Sequence, residues 1–189
     1  MKVLKKMCFL LALTAVMLAL NGCFVVTNEL IALDEEINTT WSEIDNQLQR
    51  RSDLIPNFVN TVKGYAAHEE KVFTDIADAR SRLAGAQTVE EKAEGYNSMQ
   101  SALSRLLVVV EQYPDLKASA NFIALQDELA GTENRLAVAR KRYNDSVRIF
   151  NTKIRSFPGS LFAGNLGFSP RSYFEIDGSA RQLPQVSFE

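Results

Sequence analysis

Cysteine, histidine and proline are scarce in this chain, and each scarcity closes off a kind of chemistry. The two cysteines, Cys8 and Cys23, both lie near the N-terminus, so the 166 residues after Cys23 hold no thiol. Disulfides, thiolate metal centres and cysteine nucleophiles are therefore excluded from most of the chain. The single histidine, His68, cannot make a two-histidine zinc helix or the paired Glu-x-x-His motifs of a di-iron bundle. No Gly-x-Ser-x-Gly elbow and no glycine-rich phosphate loop is present. His68 stands beside Glu69 and Glu70 and reads as an exposed residue at a helix start. We expect no catalytic residues, no metal, no cofactor and no enzymatic activity.

An excess of charge is missing too. The 189 residues hold 21 Lys and Arg against 23 Asp and Glu, a net charge of −2. That balance does not suit a protein that neutralises phosphates, so nucleic acid is not an expected partner. It equally argues against a basic patch docking on anionic lipid.

What the N-terminus does have is a targeting layout. Lys2, Lys5 and Lys6 precede an apolar run, Met7 to Leu20, that only Thr14 interrupts, and Leu20-Asn21-Gly22-Cys23 follows. This is the order of a secretory signal ending at a cysteine that is cut before and acylated. The expected division is a signal peptide at 1–22, a lipidated anchor and short linker at 23–28, a helical bundle at 29–157 and an irregular tail at 158–189. Cleavage would leave 167 residues, enough for one domain with a substantial core, carrying 18 basic and 23 acidic residues. Lipid on Cys23 would then hold the protein to a membrane, facing away from the cytoplasm. The competing reading is an uncleaved membrane helix from Met7 to Val26, which has the length a bilayer needs. Asn21 is larger than the usual residue before such a glycine.

Helical periodicity dominates the rest. Ile37, Trp41, Ile44, Leu48, Ile55, Phe58, Val62 and Tyr65 recur at steps of three and four, with Arg51 in the one missing place. Such a 3.5-residue period predicts a long helix, about Leu30 to Tyr65, packed against neighbours. Pro56 interrupts no phase and predicts a kink rather than a break. A turn at Gly64 to His68 leads to a shorter helix with Val72, Ile76, Ala79 and Leu83. One unbroken helix through Gly64 to Leu83, and so a three-helix bundle, is the alternative.

Thr88 and Glu91 form a capping box that opens a third helix. Its stripe is Tyr96, Met99, Leu103, Leu106, Val110 and Tyr113, and the apolar run Leu106 to Val110 predicts its most enclosed end. A fourth, long helix carries Phe122, Leu129, Leu136, Tyr143, Phe150 and Phe157 at intervals of seven. Phe157-Pro158-Gly159 ends it. The expected fold is all-α: an antiparallel four-helix bundle of two long and two shorter helices. An irregular aromatic tail with Phe162, Phe168, Tyr173 and Phe174 follows. Its rings either pack on the bundle or form an exposed docking strip.

Arg51 is the one charge on a seam. It calls for an acid on a facing helix, Glu111 or Glu133, in a buried pair that sets helix register. Arg51→Leu should then leave the bundle folded. The paired acids Glu35-Glu36, Glu69-Glu70 and Glu90-Glu91 point different ways on a helix and make no shared carboxylate site.

The run from Gln47 to Val59, QLQRRSDLIPNFV, with Thr61-Val62-Lys63-Gly64-Tyr65-Ala66 after it, resembles the signature of the bacterial LemA family. Tyr113-Pro114-Asp115-Leu116-Lys117, Glu133-Asn134-Arg135, Tyr143-Asn144, Gly167-Phe168, Phe174-Glu175, Pro184, Val186 and Phe188 extend the resemblance over roughly residues 27–188. The resemblance implies a membrane-anchored helical bundle outside the cytoplasm, with no family catalytic residues to carry over. Family members commonly begin with a transmembrane helix, and this chain departs from them in its lipobox-like Cys23. A magnetosome relative suggests envelope organisation. The function expected is therefore a non-enzymatic scaffold that binds envelope proteins as yet unidentified. The alternative is a ligand-binding or hydrolytic protein with its site between bundle and tail.

Overall fold

The structure, a computed structural model, describes the backbone of residues 2–176 and the side chains of residues 6, 7 and 24–176. Among the described residues it is all-helical, with α1 (Lys2–Lys63), α2 (Glu70–Gly85), α3 (Val89–Val110), α4 (Pro114–Lys117), α5 (Ala120–Arg155) and α6 (Gly159–Ala163). Two long helices and two shorter ones match the expected bundle; α4 and α6 are brief additional turns. α1 begins well before Leu30, because the apolar run is itself helical backbone. The break at Gly64–Glu69 rules out one continuous helix. There Tyr65 and Ala66 both donate to the carbonyl of Val62 and close the turn. Lys6 and Met7 apart, the side chains of the signal segment lie outside the described residues, as do those of Cys23, Pro184, Val186 and Phe188. Among the described residues no helix is long and apolar enough to cross a membrane.

The chain divides into two compact units. The larger comprises Thr40–Asn144 and Ser172–Glu189. Its helix directions follow from the cross-links. Glu43 meets Arg142, Gln47 meets Arg135 and Arg50 meets Glu128, so α1 and α5 run antiparallel. Asp45–Lys92 and Arg51–Gln100 set α1 and α3 parallel, whereas Asp75–Arg105 sets α2 against α3. The result is an up-down-up-down bundle. Its core joins Ile55, Phe58, Val62, Phe73, Ile76, Met99, Leu106, Leu116, Phe122 and Leu129, with Phe58 and Phe122 stacked at 5.2 Å.

α3 starts with the full capping box: Glu91 N–H donates to Thr88 Oγ1, and Thr88 N–H donates back to Glu91 Oε2, both at 3.1 Å. Gly95 is the close-approach point of this unit. A Cβ there would lie 2.8 Å from the Cα of Leu83, so α2 packs on α3 at a distance only glycine permits.

The smaller unit comprises Met1–Thr39 and Asp145–Arg171. Lys153 pairs with Glu29 at 2.7 Å and Arg171 with Asp34 at 2.7 Å. Leu30, Ile37, Val147, Phe150 and Ile154 are buried, and Phe168 meets Phe150 edge-on at 5.4 Å.

Several expected seam positions differ. Tyr65 falls in the turn and is exposed, and Phe73 rather than Val72 takes the buried place at the start of α2. Leu107 and Val108 are exposed, so the apolar run is not enclosed on all sides: three helices cannot cover every face of α3. Phe157 lies two residues beyond the end of α5 and is 81 % exposed, because the chain leaves the helical stripe at Arg155.

Candidate functional site

The densest polar constellation lies in the larger unit, around Arg51. The seven-residue spacing that makes α1 amphipathic puts this guanidinium on the buried face, where only 5 % of the residue is exposed. Its Nη1 meets Glu133 Oε2 at 3.0 Å and donates to the Leu129 carbonyl at 3.1 Å. Its Nη2 donates to Gln100 Oε1 at 2.8 Å. Tyr96, nearly fully buried, donates its phenol to Glu133 Oε1 at 2.6 Å, and its ring lies under the guanidinium at 5.9 Å. Thr132 is also buried and donates to the Leu129 carbonyl at 2.7 Å. One side chain of α1 is thus tied to α3 and α5 at once.

The electrostatics suit a clamp. Burial first, then the bond to Glu133 and its negative charge, push the Tyr96 phenol above its ordinary range and keep it a donor. Arg51 Nε has no partner among the described residues. Of the two acids expected to meet Arg51, Glu133 does so, whereas Glu111 pairs with Lys117.

A second constellation holds the tail. Asn144 donates from Nδ2 to the Phe174 carbonyl at 3.1 Å and accepts from the Phe174 N–H at 2.9 Å. Its side-chain amide therefore replaces a neighbouring β-strand. Tyr143 donates to the Ser172 carbonyl at 2.9 Å, and Trp41 lies 5.4 Å from the Tyr143 ring and 5.9 Å from Phe174. Phe174 is fully buried. In the smaller unit Asn151 makes the same pair of bonds with the backbone of Arg171, both at 2.8 Å. The asparagines stand seven residues apart and the residues they hold three apart. The sequence reading missed both asparagines as tail clamps. A polar amide inside an apolar stripe was the available signal. The tail rings divide between the two expected uses: Phe174 is core, Phe162 and Phe168 are half-buried, and Tyr173 is exposed.

Two concavities accompany these clusters in the larger unit. A groove of about 440 Å³ runs between α1 and α5, lined by Glu43, Asn46, Gln47, Asn134, Arg135, Val138 and Arg142. A cleft of about 500 Å³ lies where the tail crosses α3, lined by Glu90, Glu94, Asn97, Ser172, Tyr173 and Glu175. Bonding to the Ser172 side chain lowers the pKa of the Glu90 carboxyl from its ordinary value. Asn97 Oδ1 is buried there without a partner among the described residues. His68 stands apart, exposed in the turn between α1 and α2. Among the described residues no cluster of three or more His, Cys, Asp or Glu is placed to hold a metal ion.

The family model described as the LemA family matches residues 40–188. Magnetosome protein MamQ 2 of Paramagnetospirillum magneticum is 24 % identical over 78 % of this chain and 64 % of its own length. Magnetosome protein MamQ of Magnetospirillum gryphiswaldense is 25 % identical over the same shares. Protein LemA of Metamycoplasma hominis is 30 % identical over 69 % of this chain and 60 % of its own length. The chain therefore spans a little under two thirds of the relatives it matches.

Proposed function

The chain belongs to the LemA family, and we propose that it works as a non-enzymatic scaffold of the cell envelope, held to a membrane at its N-terminus and binding other proteins through its helices. The observation that carries this reading is the use of polar chemistry in the larger unit. Arg51, Tyr96, Gln100 and Glu133 face one another and lock three helices. The groove between α1 and α5 presents Glu43, Gln47, Asn134 and Arg135 to a partner. Rigid helices with mixed charge on an open face suit recognition. The anchor rests on the sequence: the basic start, the apolar run and Gly22-Cys23. Relatives named as magnetosome proteins agree with work in an organised assembly.

Photo-crosslinking from Gln47 and Val138 in intact envelopes tests the scaffold, with a probe at His68 as the reference. Discrete adducts from the groove, absent from His68, support it; no groove-specific adduct overturns it. Fatty-acid labelling that Cys23→Ser abolishes supports the lipid anchor, and labelling unchanged by that substitution removes it.

One observation favours ligand binding as a second reading: Asn97, whose Oδ1 is buried without a partner among the described residues, lines the cleft beside the tail. Its walls supply carboxylates and Ser172, while His68 is exposed elsewhere. A binding role therefore fits the cleft better than a hydrolytic one.

A further inference from the structure

From Ser156 to Pro170 the chain runs fifteen residues without a single Asp, Glu, Lys or Arg, in a protein that is 23 % charged. The stretch contains α6 and belongs wholly to the smaller unit. It does not hide its apolar residues: Phe157 is 81 % exposed and Leu161 is 61 % exposed. Bare apolar side chains on an uncharged segment are costly in water and need a covering surface.

The place of this segment names the surface. Lys153 meets Glu29 at 2.7 Å on an antiparallel neighbour. Going on from Lys153 to the end of α5 at Arg155, and back from Glu29 on α1, leads to Phe157 on one side of the pair and toward Val25 on the other. Val25 and its neighbour Phe24 are themselves exposed, at 66 % and 71 %. Val25 is two residues past Cys23, about 3 Å of helical rise. The exposed Phe24 and Val25 and the end of α5 that leads into Phe157 and α6 thus lie at the same end of the smaller unit, where α1 leaves its apolar run. The placement is the same for lipid on Cys23 and for an uncleaved helix from Met7 to Val26.

We propose that α6 and its flanks are a second membrane contact, with Phe157 and Leu161 seated in the boundary between headgroups and acyl chains. This rests on the anchoring reading above. Side chains of this kind enter that boundary by about 5–10 Å, and a segment free of charge has no ion to desolvate on the way. The covalent anchor supplies the tether, and α6 fixes the angle at which the smaller unit leaves the bilayer. One attachment becomes two, with the second strengthened by its high local concentration.

Tryptophan at position 157 or 161 in the full chain tests the contact. Each variant is reconstituted into phosphatidylcholine vesicles whose acyl chains are brominated near the headgroup. Wild-type emission from Trp41 is subtracted, and Ile149→Trp, on α5 in the same unit, is the reference. Phe157→Trp and Leu161→Trp should emit to the blue of Ile149→Trp and be quenched by the bromines more strongly than it is, as insertion at the headgroup boundary requires. Quenching no greater than that of Ile149→Trp, in protein that floats with the vesicles, overturns the membrane contact and leaves the anchor standing. Protein that does not float overturns the anchoring reading and the contact with it.

Discussion

Arg80 donates through Nε to the carbonyl of Ser52 at 3.2 Å, and Ser52 is the residue four before Pro56. Proline has no N–H, so that carbonyl has lost its ordinary helical donor, and a side chain from α2 supplies another. The same Nε reaches Ser52 Oγ at 3.3 Å. Pro56 therefore does more than sit harmlessly in α1: it opens an acceptor that docks the next helix.

This relationship is testable as a cycle. Arg80→Met should destabilise the fold by about 1–3 kcal/mol, because Ser52 is buried and its carbonyl would go unpaired. In a Pro56→Ala background, where the restored backbone N–H serves that carbonyl, Arg80→Met should cost clearly less. Equal costs in both backgrounds, by urea denaturation, would remove the coupling.

Arg51 and Glu133 should respond unequally. Arg51 is almost wholly buried, whereas the Glu133 side chain is 38 % exposed. Glu133→Gln leaves a buried cation without its counter-charge and should lower stability by about 3 kcal/mol, the lower end of the range for buried pairs. Arg51→Leu leaves Glu133 free to hydrate and should cost at most about 1 kcal/mol, with helicity retained by circular dichroism. The reverse order would contradict the clamp.

Gly95→Ala should invert a usual rule. In an open helix that exchange gains about 1 kcal/mol. Here the new methyl meets the Leu83 backbone at 2.8 Å, and overpacking of this kind costs about 1–3 kcal/mol. A thermal midpoint below wild type is the expected outcome; a midpoint above it would show that α2 and α3 part without penalty.

Asn144→Ala should release the tail locally. The Phe174 N–H and carbonyl lose their partner while the core around Phe58 keeps its contacts. Trp41, the only tryptophan, lies against Phe174 and should shift its emission to the red as water enters. Faster amide exchange at Phe174 with unchanged global stability completes the expectation. Unaltered emission and exchange would count against the clamp.

Acid should loosen the start of α3. Backbone N–H bonds from Gln87 and Thr88 hold the Glu91 carboxyl below its ordinary value of 4.5. The folded form thus binds this proton less readily than the unfolded form. Its contribution is complete above pH 4.5 and fades as pH falls through the lower folded value. The Thr88 and Gln87 amide resonances should titrate with a midpoint below that of a free glutamate, and Glu91→Gln should abolish the response. A midpoint at or above the free value would disprove the bonding.

The period-3.5 stripes, the Thr88–Glu91 box and an all-α bundle needed only neighbours along the chain, whereas the same stripe also allowed one helix through Gly64, and the break there is decided by the turn that closes on the Val62 carbonyl. Spacing could even place Arg51 on a seam and name Glu133 among two candidates, because a buried charge demands an opposite one. Which acid it meets depends on the register between α1 and α5, and that is settled by packing over many residues. The fates of the aromatic residues were likewise illegible in one dimension: Phe174 is sealed and Phe157 is bare although both are phenylalanines near glycine and proline. Burial is decided by what stands opposite in space, here Asn144, Tyr143 and Trp41 for the one and open surface for the other.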